Sequence, residues 1–322
     1  MGGFIAPIAA RVDLSLTTYQ QKFRNNKFVT DLLFPRVPVD LENAVYPIWG
    51  RENQMFDGQG LRQYGDPAQE IRMSYSTDNY HCRDHSRKVK LPLERKAILE
   101  TFGMGAIAQA RTQFLQDKII MEKEYNACAF CTSVSYITNY KTLSGGDQWS
   151  DPLNSNPIGD VYVAKRVIRK AGIDANYMIV GEDVLHSLKL HSMVRDAFKY
   201  TAPGAITLQQ LASLFEIENV ILASAIYMSV DGTTITPMWN PQDCLICYVK
   251  PATDIEDLSF AKTFVWSGAP ATIGGYAVET WMDPDLSART EWIANHMYYD
   301  QKITCVSAAY LLKSASATHS LT

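Results

Sequence analysis

The sequence lacks the features that mark most enzymes and most tight nucleic-acid binders. Its 322 residues carry a formal net charge of −4, so lysine and arginine are not in excess. Proteins that bind DNA or RNA tightly need such an excess, concentrated on one face, to neutralise the phosphates of the nucleic acid. No GxGxxG, Walker, GxSxG or HExxH motif is present. We therefore expect no catalytic residues and no cofactor.

A long hydrophobic run is also missing. The longest one, from Val220 to Val230, has 11 residues and is interrupted by serines, whereas a helix needs about 20 apolar residues to cross a bilayer. We therefore expect no membrane contact. The chain is 47% hydrophobic, and by size scaling it should bury roughly three quarters of its unfolded surface in a globular fold.

Cysteines are few and badly spaced for a metal site. Of the six, four form two CxxC pairs, Cys128 with Cys131 and Cys244 with Cys247. About 110 residues lie between the pairs, where a zinc ribbon has about 15 to 20. We therefore expect no metal ligands and interpret the cysteines as small buried hydrophobes. A cytoplasmic thiol or zinc enzyme remains the alternative from another functional class.

One further group of possible ligands is His81, Cys82 and His85. Basic residues surround it, with Arg83 between two of its members and Arg87 just after them. Their positive charge would oppose a divalent cation, so we interpret this stretch as a solvated strand end.

The N-terminal segment is rich in proline and has no periodicity of a packed domain. Pro35, Pro38 and Pro47 each prevent a helix from continuing. The segment therefore reads as an extended arm, whose apolar side chains must be buried elsewhere. We expect a neighbouring copy of the chain to bury them, and the alternative is that the arm folds back on its own chain. The side chains in question are Phe28, Leu32, Leu33, Phe34 and Val37.

A polar hairpin without a core is predicted for residues 50–87. Gly58, Gly60 and Gly65 occupy its tip, and a polar and aromatic alternation forms its second limb. An isolated two-stranded hairpin is marginally stable in water, so we expect this hairpin to pack against another surface.

A long helix is predicted over residues 106–133. Apolar residues recur at three- and four-residue steps and should form its buried stripe, while the charged residues lie elsewhere on the helix. The predicted stripe consists of Ile107, Ala110, Phe114, Met121, Tyr125 and Cys128.

Two shorter helices have clear end signals. Asn156 and Pro157 supply an N-cap and a first-turn proline for a helix that ends at Gly172. Thr207 and Gln210 have the spacing of a capping box for a helix that runs to Phe215. Strands are expected at residues 177–180, 220–227 and 244–249, and a turn at residues 283–285.

The order of these segments resembles that of the major capsid proteins of tailed bacteriophages, which have the Hong Kong 97-like fold. The resemblance runs from about residue 23 to 311, and no single piece of it is a catalytic signature. The stretches that carry it include FVTDLLFPRVPV, ITLQQLASLFEIENVILASAIY, CLICYVKPA and YDQKITCVSAAYLL.

The resemblance implies an α+β fold with four parts. These are an N-terminal arm at 1–49, an extended E-loop hairpin at 50–87, a peripheral domain at 88–153 and 263–299 that contains the spine helix, and a mixed α/β axial domain at 154–262 and 300–322. Subunit contacts are expected from the E-loop residues Arg51, Arg62, Arg72 and Tyr75. They are also expected from the peripheral-domain tip, formed by Met282, Asp283, Pro284 and Asp285.

The implied function is that of a structural protein which self-assembles into hexamers and pentamers of an icosahedral head around double-stranded DNA. The protein would be part of the virion, assembled in the cytoplasm of a host bacterium and bound to DNA without sequence specificity. An encapsulin-like nanocompartment shell is the alternative within this fold.

Two departures from the family pattern bear on the partners. Some members form a covalent crosslink through an E-loop lysine, but no lysine occurs between Lys27 and Lys88. We therefore expect no isopeptide bond, and stability from non-covalent burial or from a decoration protein. Because the chain opens almost directly into the arm, we also expect a separate scaffolding protein, in addition to a portal.

Overall fold

The computed structural model describes residues 11–12, 28–48, 76–94, 96, 107–199, 206–229, 234–250, 254–285 and 288–318, with single positions between 62 and 70. The helices are α1 (Thr30–Leu33), α2 (Ile107–Thr132), α3 (Pro157–Arg169), α4 (Glu182–Leu190), α5 (Ser192–Phe198) and α6 (Leu208–Phe215). The strands are β1 (Arg11–Val12), β2 (Arg36–Val39), β3 (Asn43–Ile48), β4 (Ser76–His81), β5 (Arg83–Pro92), β6 (Tyr140–Thr142), β7 (Tyr177–Val180), β8 (Asn219–Leu222), β9 (Ile226–Met228), β10 (Ile235–Pro237), β11 (Cys244–Cys247), β12 (Ala261–Trp266), β13 (Tyr276–Met282), β14 (Thr290–Ile303) and β15 (Ala309–Lys313). Among the described helices, none combines the length and the apolar character that crossing a membrane requires.

The first of two large sheets is built around β14. Its strand order is β1-β13-β14-β12-β2, and β5 pairs with β14 in addition. The first ten residues of β14 pair with β5, and Glu291 to Met297 among them also pair with β13 on the other side. Residues Tyr299 to Ile303 pair with β12. Helix α2 packs on one face, where Leu115 joins Ile293 and Ile119 joins Met297 in buried clusters. The longest helix therefore lies along the longest strand.

The second sheet has the strand order β6-β15-β11-β7-β8. Its central strand, β11, is buried at all four positions. Cys244 and Ile246 face one hydrophobic cluster, and Leu245 and Cys247 face the other, as the two-residue period of a strand requires. Because both faces are covered, β11 is an uninterrupted apolar run.

Helix α2 matches its predicted range, but its buried face differs from the prediction. Phe114 and Tyr125 were expected in the buried stripe and are 50% and 51% exposed. Lys123 and Glu124 are 1% and 0% exposed, although charged residues were expected to lie away from the buried face. The helix packs against both the β14 sheet and the cluster under β11, so two faces of it are buried.

The end signals of α3 and α6 are confirmed. The Asn156 side chain accepts a hydrogen bond from Gly159 N at 2.9 Å. The Thr207 hydroxyl accepts from Gln210 N at 3.3 Å, and the Gln210 side chain accepts from Thr207 N at 2.9 Å. Both caps join residues three apart in the chain, so they form without help from the rest of the fold.

The strand predicted over 220–227 is divided in the structure. Strand β8 pairs with β7 at the edge of the second sheet, whereas β9 pairs with β10. Between them, Ala223 N donates to Val180 O and Met238 N donates to Ala225 O. The chain therefore passes from one sheet to another within a single apolar run.

Candidate subunit-interaction surfaces

Part of the predicted arm is folded on its own chain. Leu33 and Phe34 are 0% exposed and Val37 is 2% exposed. The Phe34 and Phe260 ring centroids lie 6.2 Å apart, and Val37 is paired with Phe264 between the parallel strands β2 and β12. These three side chains are unavailable to a neighbouring copy, which corrects their predicted role as subunit contacts. For this segment the alternative interpretation holds.

A buried carboxylate on α2 holds the arm segment in place. Glu124 accepts hydrogen bonds from Val29 N at 3.1 Å and from Thr30 N at 2.8 Å. It also accepts from the Thr30 hydroxyl and, at 2.8 Å, from the Trp239 Nε1. The acid therefore satisfies the free N–H groups at the start of α1, where negative charge is favoured.

A second set of charges also holds α1. Lys123 Nζ lies 2.7 Å from one Asp31 carboxylate oxygen, and Arg36 Nη2 lies 2.7 Å from the other. Burial alone would raise the pKa of Asp31, but Lys123 and Arg36 outweigh it and hold that pKa well below its ordinary value. Arg36 also donates to the Tyr276 hydroxyl at 2.6 Å. Helix α1 is thereby tied to both α2 and β13.

The other arm residues remain open to a role in assembly. Phe28 is partly buried against the cluster under β11, and Leu32 is 45% exposed. Farther towards the N terminus, Arg11 and Val12 pair with Thr280 and Glu279 on β13. The proposed contact with a neighbouring copy therefore rests on Leu32 and on the partly buried Phe28 among the predicted arm residues.

The hairpin that was predicted around residues 50–87 has an ordered base. Strands β3 and β4 pair antiparallel from Asn43 with His81 to Ile48 with Ser76, so the first limb begins before residue 50. Arg62 is exposed. The other predicted E-loop contacts, Arg51, Arg72 and Tyr75, lie outside the described residues.

The predicted tip at residues 282–285 closes the β13–β14 hairpin. Asp283 holds it, because its carboxylate accepts from the Trp292 Nε1 at 2.9 Å and from Asp285 N at 3.1 Å. Met282 is 37% exposed, and Pro284 follows at the turn. The four residues are brought together at one end of the sheet, and their role as a three-fold contact stays a prediction.

The structure also shows an apolar surface that the sequence reasoning missed. It lies where α2 meets β9 and β10, and the Tyr125 and Tyr227 rings join the two parts at 5.5 Å between centroids. We call it the apolar flank. Its members are Phe114, Tyr125, Ile226, Met228 and Ile235, which are 50–61% exposed. The spacing of Phe114 and Tyr125, three helical turns apart, is the signal that places them on one face.

The described residues offer little for thiol or metal chemistry. All six cysteines are free and buried, and burial raises the pKa of the Cys82 and Cys128 thiols to about 12. Thiols at such values stay protonated and are poor nucleophiles and metal ligands at neutral pH. Within the part of the chain that the structure describes, no group of three or more His, Cys, Asp or Glu residues could hold a metal ion.

Comparisons with known proteins point to one class. The family model described as phage major capsid protein E matches residues 110–290, more than half of the chain. The major capsid protein of Burkholderia phage BcepMu is 24% identical over 253 residues, which are 74% of this chain and 76% of that protein. A solved phage-related protein from Bordetella bronchiseptica RB50 has a TM-score of 0.75 at 22% identity, covering 95% of this chain and 98% of its own. A solved putative capsid protein of a prophage from E. coli CFT073 has a TM-score of 0.57 at 14% identity, covering 95% and 99%.

Proposed function

The chain belongs to the phage major capsid protein E family, and from this premise we propose that it assembles into hexamers and pentamers of an icosahedral head around double-stranded DNA. Its function as a phage major capsid protein follows from the family match. Its α+β fold is the Hong Kong 97-like fold that the sequence predicts. The symmetry of the shell and its contents are the proposed part.

The apolar flank is the observation that carries the proposal. Its side chains are at least half exposed in the single chain, and several large apolar side chains left exposed on neighbouring elements favour an interaction surface. Fully burying one such side chain stabilises a contact by about 1.5–3 kcal/mol. The same contact recurs at every subunit of a closed shell, so modest contacts stabilise the whole particle.

We assign the two sheets to different parts of the shell. The β14 sheet with α2 is proposed as the peripheral domain, whose tip at Met282–Asp285 meets its counterparts at local three-fold positions. The β11 sheet with α3, α4 and α6 is proposed as the axial domain around the capsomer axis. The hairpin rooted in β3 and β4 is proposed as the E-loop that lies on a neighbouring copy.

The remaining proposals concern partners and chemistry. A scaffolding protein, a portal and a decoration protein are proposed partners, and assembly is proposed to take place in the host cytoplasm. We further propose that the protein has no enzymatic activity, in line with its structural family. The viral relative favours a phage head over an encapsulin-like compartment.

Sedimentation and electron microscopy of the purified chain test this function. We expect capsomers or megadalton shells, and a stable monomer or dimer at high concentration would contradict the proposal. In a second arm, Ile226→Ser combined with Ile235→Ser should reduce assembly. Because both side chains are more than half exposed, the unfolding of the unassembled chain should change little, which separates an assembly defect from misfolding.

A further inference from the structure

A cavity at the root of the hairpin lies apart from the apolar flank. Its volume is about 340 Å³, and it sits where β4 gives way to β5, between these strands, the end of β14 and the C-terminal half of α2. Two histidines, an arginine and a lysine are among the side chains that line it. Asp300 is the carboxylate in this lining, so the hydrogen-bond donors outnumber it and the two permanent cations exceed its charge.

Two buried donors in the lining have no partner. Tyr299 is 2% exposed and Gln301 is 5% exposed, and both line the cavity. Neither the Tyr299 hydroxyl nor the Gln301 Nε2 finds a hydrogen-bond partner within the described residues. Native proteins leave few buried polar groups unpaired, so such a pair calls for an explanation. A bound acceptor would supply one.

The lining also contains a cation that is not neutralised. Arg83 is exposed, and its side chain makes no hydrogen bond or ion pair with the described part of the chain. Asp300, which lines the cavity, and the nearby Glu122 already have partners. Asp300 accepts from His81 N at 2.9 Å and lies 3.9 Å from Lys302 Nζ, and Glu122 is bound to Arg87 at 2.6 Å and to His85 at 3.1 Å.

We propose that this cavity binds a phosphate group, with Arg83 as its main cationic contact and Gln301 as a buried amide donor. A guanidinium matches phosphate oxygens in a bidentate geometry. Both the hairpin base and β14 contribute donor-bearing side chains to the lining, and a phosphate group can accept several hydrogen bonds at once. The phosphate is either a free ion or part of a nucleic-acid backbone, and the proposal does not depend on shell assembly.

Thermal unfolding of the full-length chain tests the site with inorganic phosphate, against sodium chloride at equal ionic strength. We expect a saturable rise of Tm with phosphate. Arg83→Ala should weaken the apparent affinity about tenfold or more, because a charged hydrogen-bond donor is lost. The matched control is Arg195→Ala, which removes the same charge from an exposed position on α5 and should leave the response unchanged.

A mixed-sequence DNA duplex, in a parallel titration, distinguishes the two sources of phosphate. If inorganic phosphate raises the Tm and Arg83→Ala weakens that rise, the free ion is sufficient to occupy the site. A response to duplex alone, again weakened by Arg83→Ala, identifies the phosphodiester backbone. The proposal is overturned if neither ligand gives a saturable shift, or if the Arg83 and Arg195 variants respond alike.

Gln301→Leu supplies a readout that a structural role would not give. Because the variant removes an unpaired buried amide, its Tm without phosphate should equal or exceed that of the parent, while its phosphate-dependent rise should shrink. A lower Tm in phosphate-free buffer would show that the fold itself uses this amide, and it would overturn the role assigned to Gln301.

Discussion

Two glutamates on α2, two residues apart, illustrate how position decides the role of a charge. Glu122 has a side chain that is 31% exposed and pairs with Arg87 and His85 near the surface. Glu124 is fully buried and accepts from two backbone N–H groups, a hydroxyl and an indole. An exposed ion pair contributes little to stability. Hydrogen-bond donors that are left unpaired in the interior lower the free energy of unfolding.

We therefore predict that Glu124→Ala lowers the free energy of unfolding by about 3–5 kcal/mol, since it strands several buried donors at once. The matched Glu122→Ala should cost less than about 1 kcal/mol. Urea unfolding of the unassembled chain measures both. If both variants lost the same free energy of unfolding, the contacts of Glu124 to α1 would contribute no more stability than the surface ion pair of Glu122.

Another prediction at the residue scale concerns His191. Its side chain is 1% exposed, its Nδ1 accepts from Met193 N at 3.2 Å, and its Nε2 lies 3.0 Å from the Ser155 hydroxyl, which itself donates to Asp151 O. The ring is therefore neutral, with its proton on Nε2. Burial lowers the pKa of His191 below its ordinary value of 6.5.

Because the unfolded chain takes up a proton that the folded chain excludes, the free energy of unfolding should fall as the pH drops below about 6.5. His191→Asn keeps an acceptor for Met193 N but removes the titrating group, so its Tm should depend less on pH between 5 and 7. Thermal unfolding of the parent and of the His191→Asn variant at several pH values between 5 and 7 tests this prediction. A variant with the same slope as the parent would refute it.

At the scale of elements, the junction between β7 and α4 is tightly confined. A Cβ atom added at Gly181 would lie 2.3 Å from the Pro241 carbonyl oxygen and 2.7 Å from that of Asn240. Both obstacles are backbone atoms, which cannot turn away as a side chain can. The loop before β11 and the start of α4 thus touch through a glycine, which brings the helix close to the sheet.

Gly181→Ala should accordingly lower the free energy of unfolding by about 1–3 kcal/mol, the usual cost of overpacking. Gly146→Ala is the matched control, because the nearest atom to its new Cβ is 3.6 Å away and a change of about 0.5 kcal/mol or less is expected. Denaturant unfolding midpoints of the two variants, compared with that of the parent, measure these losses of stability. Similar midpoints would show that the junction relaxes without cost.

At the scale of the whole molecule, the chain leaves surfaces that its own cores do not use. These are the apolar flank beside α2 and the exposed side chain of Leu32 on α1. In the proposed shell these surfaces are covered by other copies. Their burial would have to hold the particle together without covalent links, because residues 28–87 contain no lysine.

Mature particles should consequently dissociate into single chains on a denaturing gel. Boiling in detergent with a reductant removes every non-covalent contact, and the cysteines are free and buried. A single band near 36.1 kDa is expected. A ladder of covalent oligomers that survives this treatment would contradict the prediction, and an isopeptide bond would then use a lysine outside residues 28–87.

The sequence by itself determined those features whose interactions are local. The caps at Asn156 and Thr207, the extent of α2 and the turn before β14 each depend on residues a few positions apart. The order of the segments was also enough to indicate the family, which the model match then showed. Local hydrogen bonds form the same way whatever surrounds them, and this is why such signals can be read directly.

Only the tertiary structure decided which surfaces are inside. Phe34 became a core residue because it packs on Phe260, and Val37 because β12 pairs with β2. Phe114 and Tyr125, predicted as core, stayed half exposed. Lys123 and Glu124 are buried because Asp31 and the start of α1, more than 90 residues away in the chain, supply their partners. Burial is set by which distant segments pack together, and no local pattern contains that information.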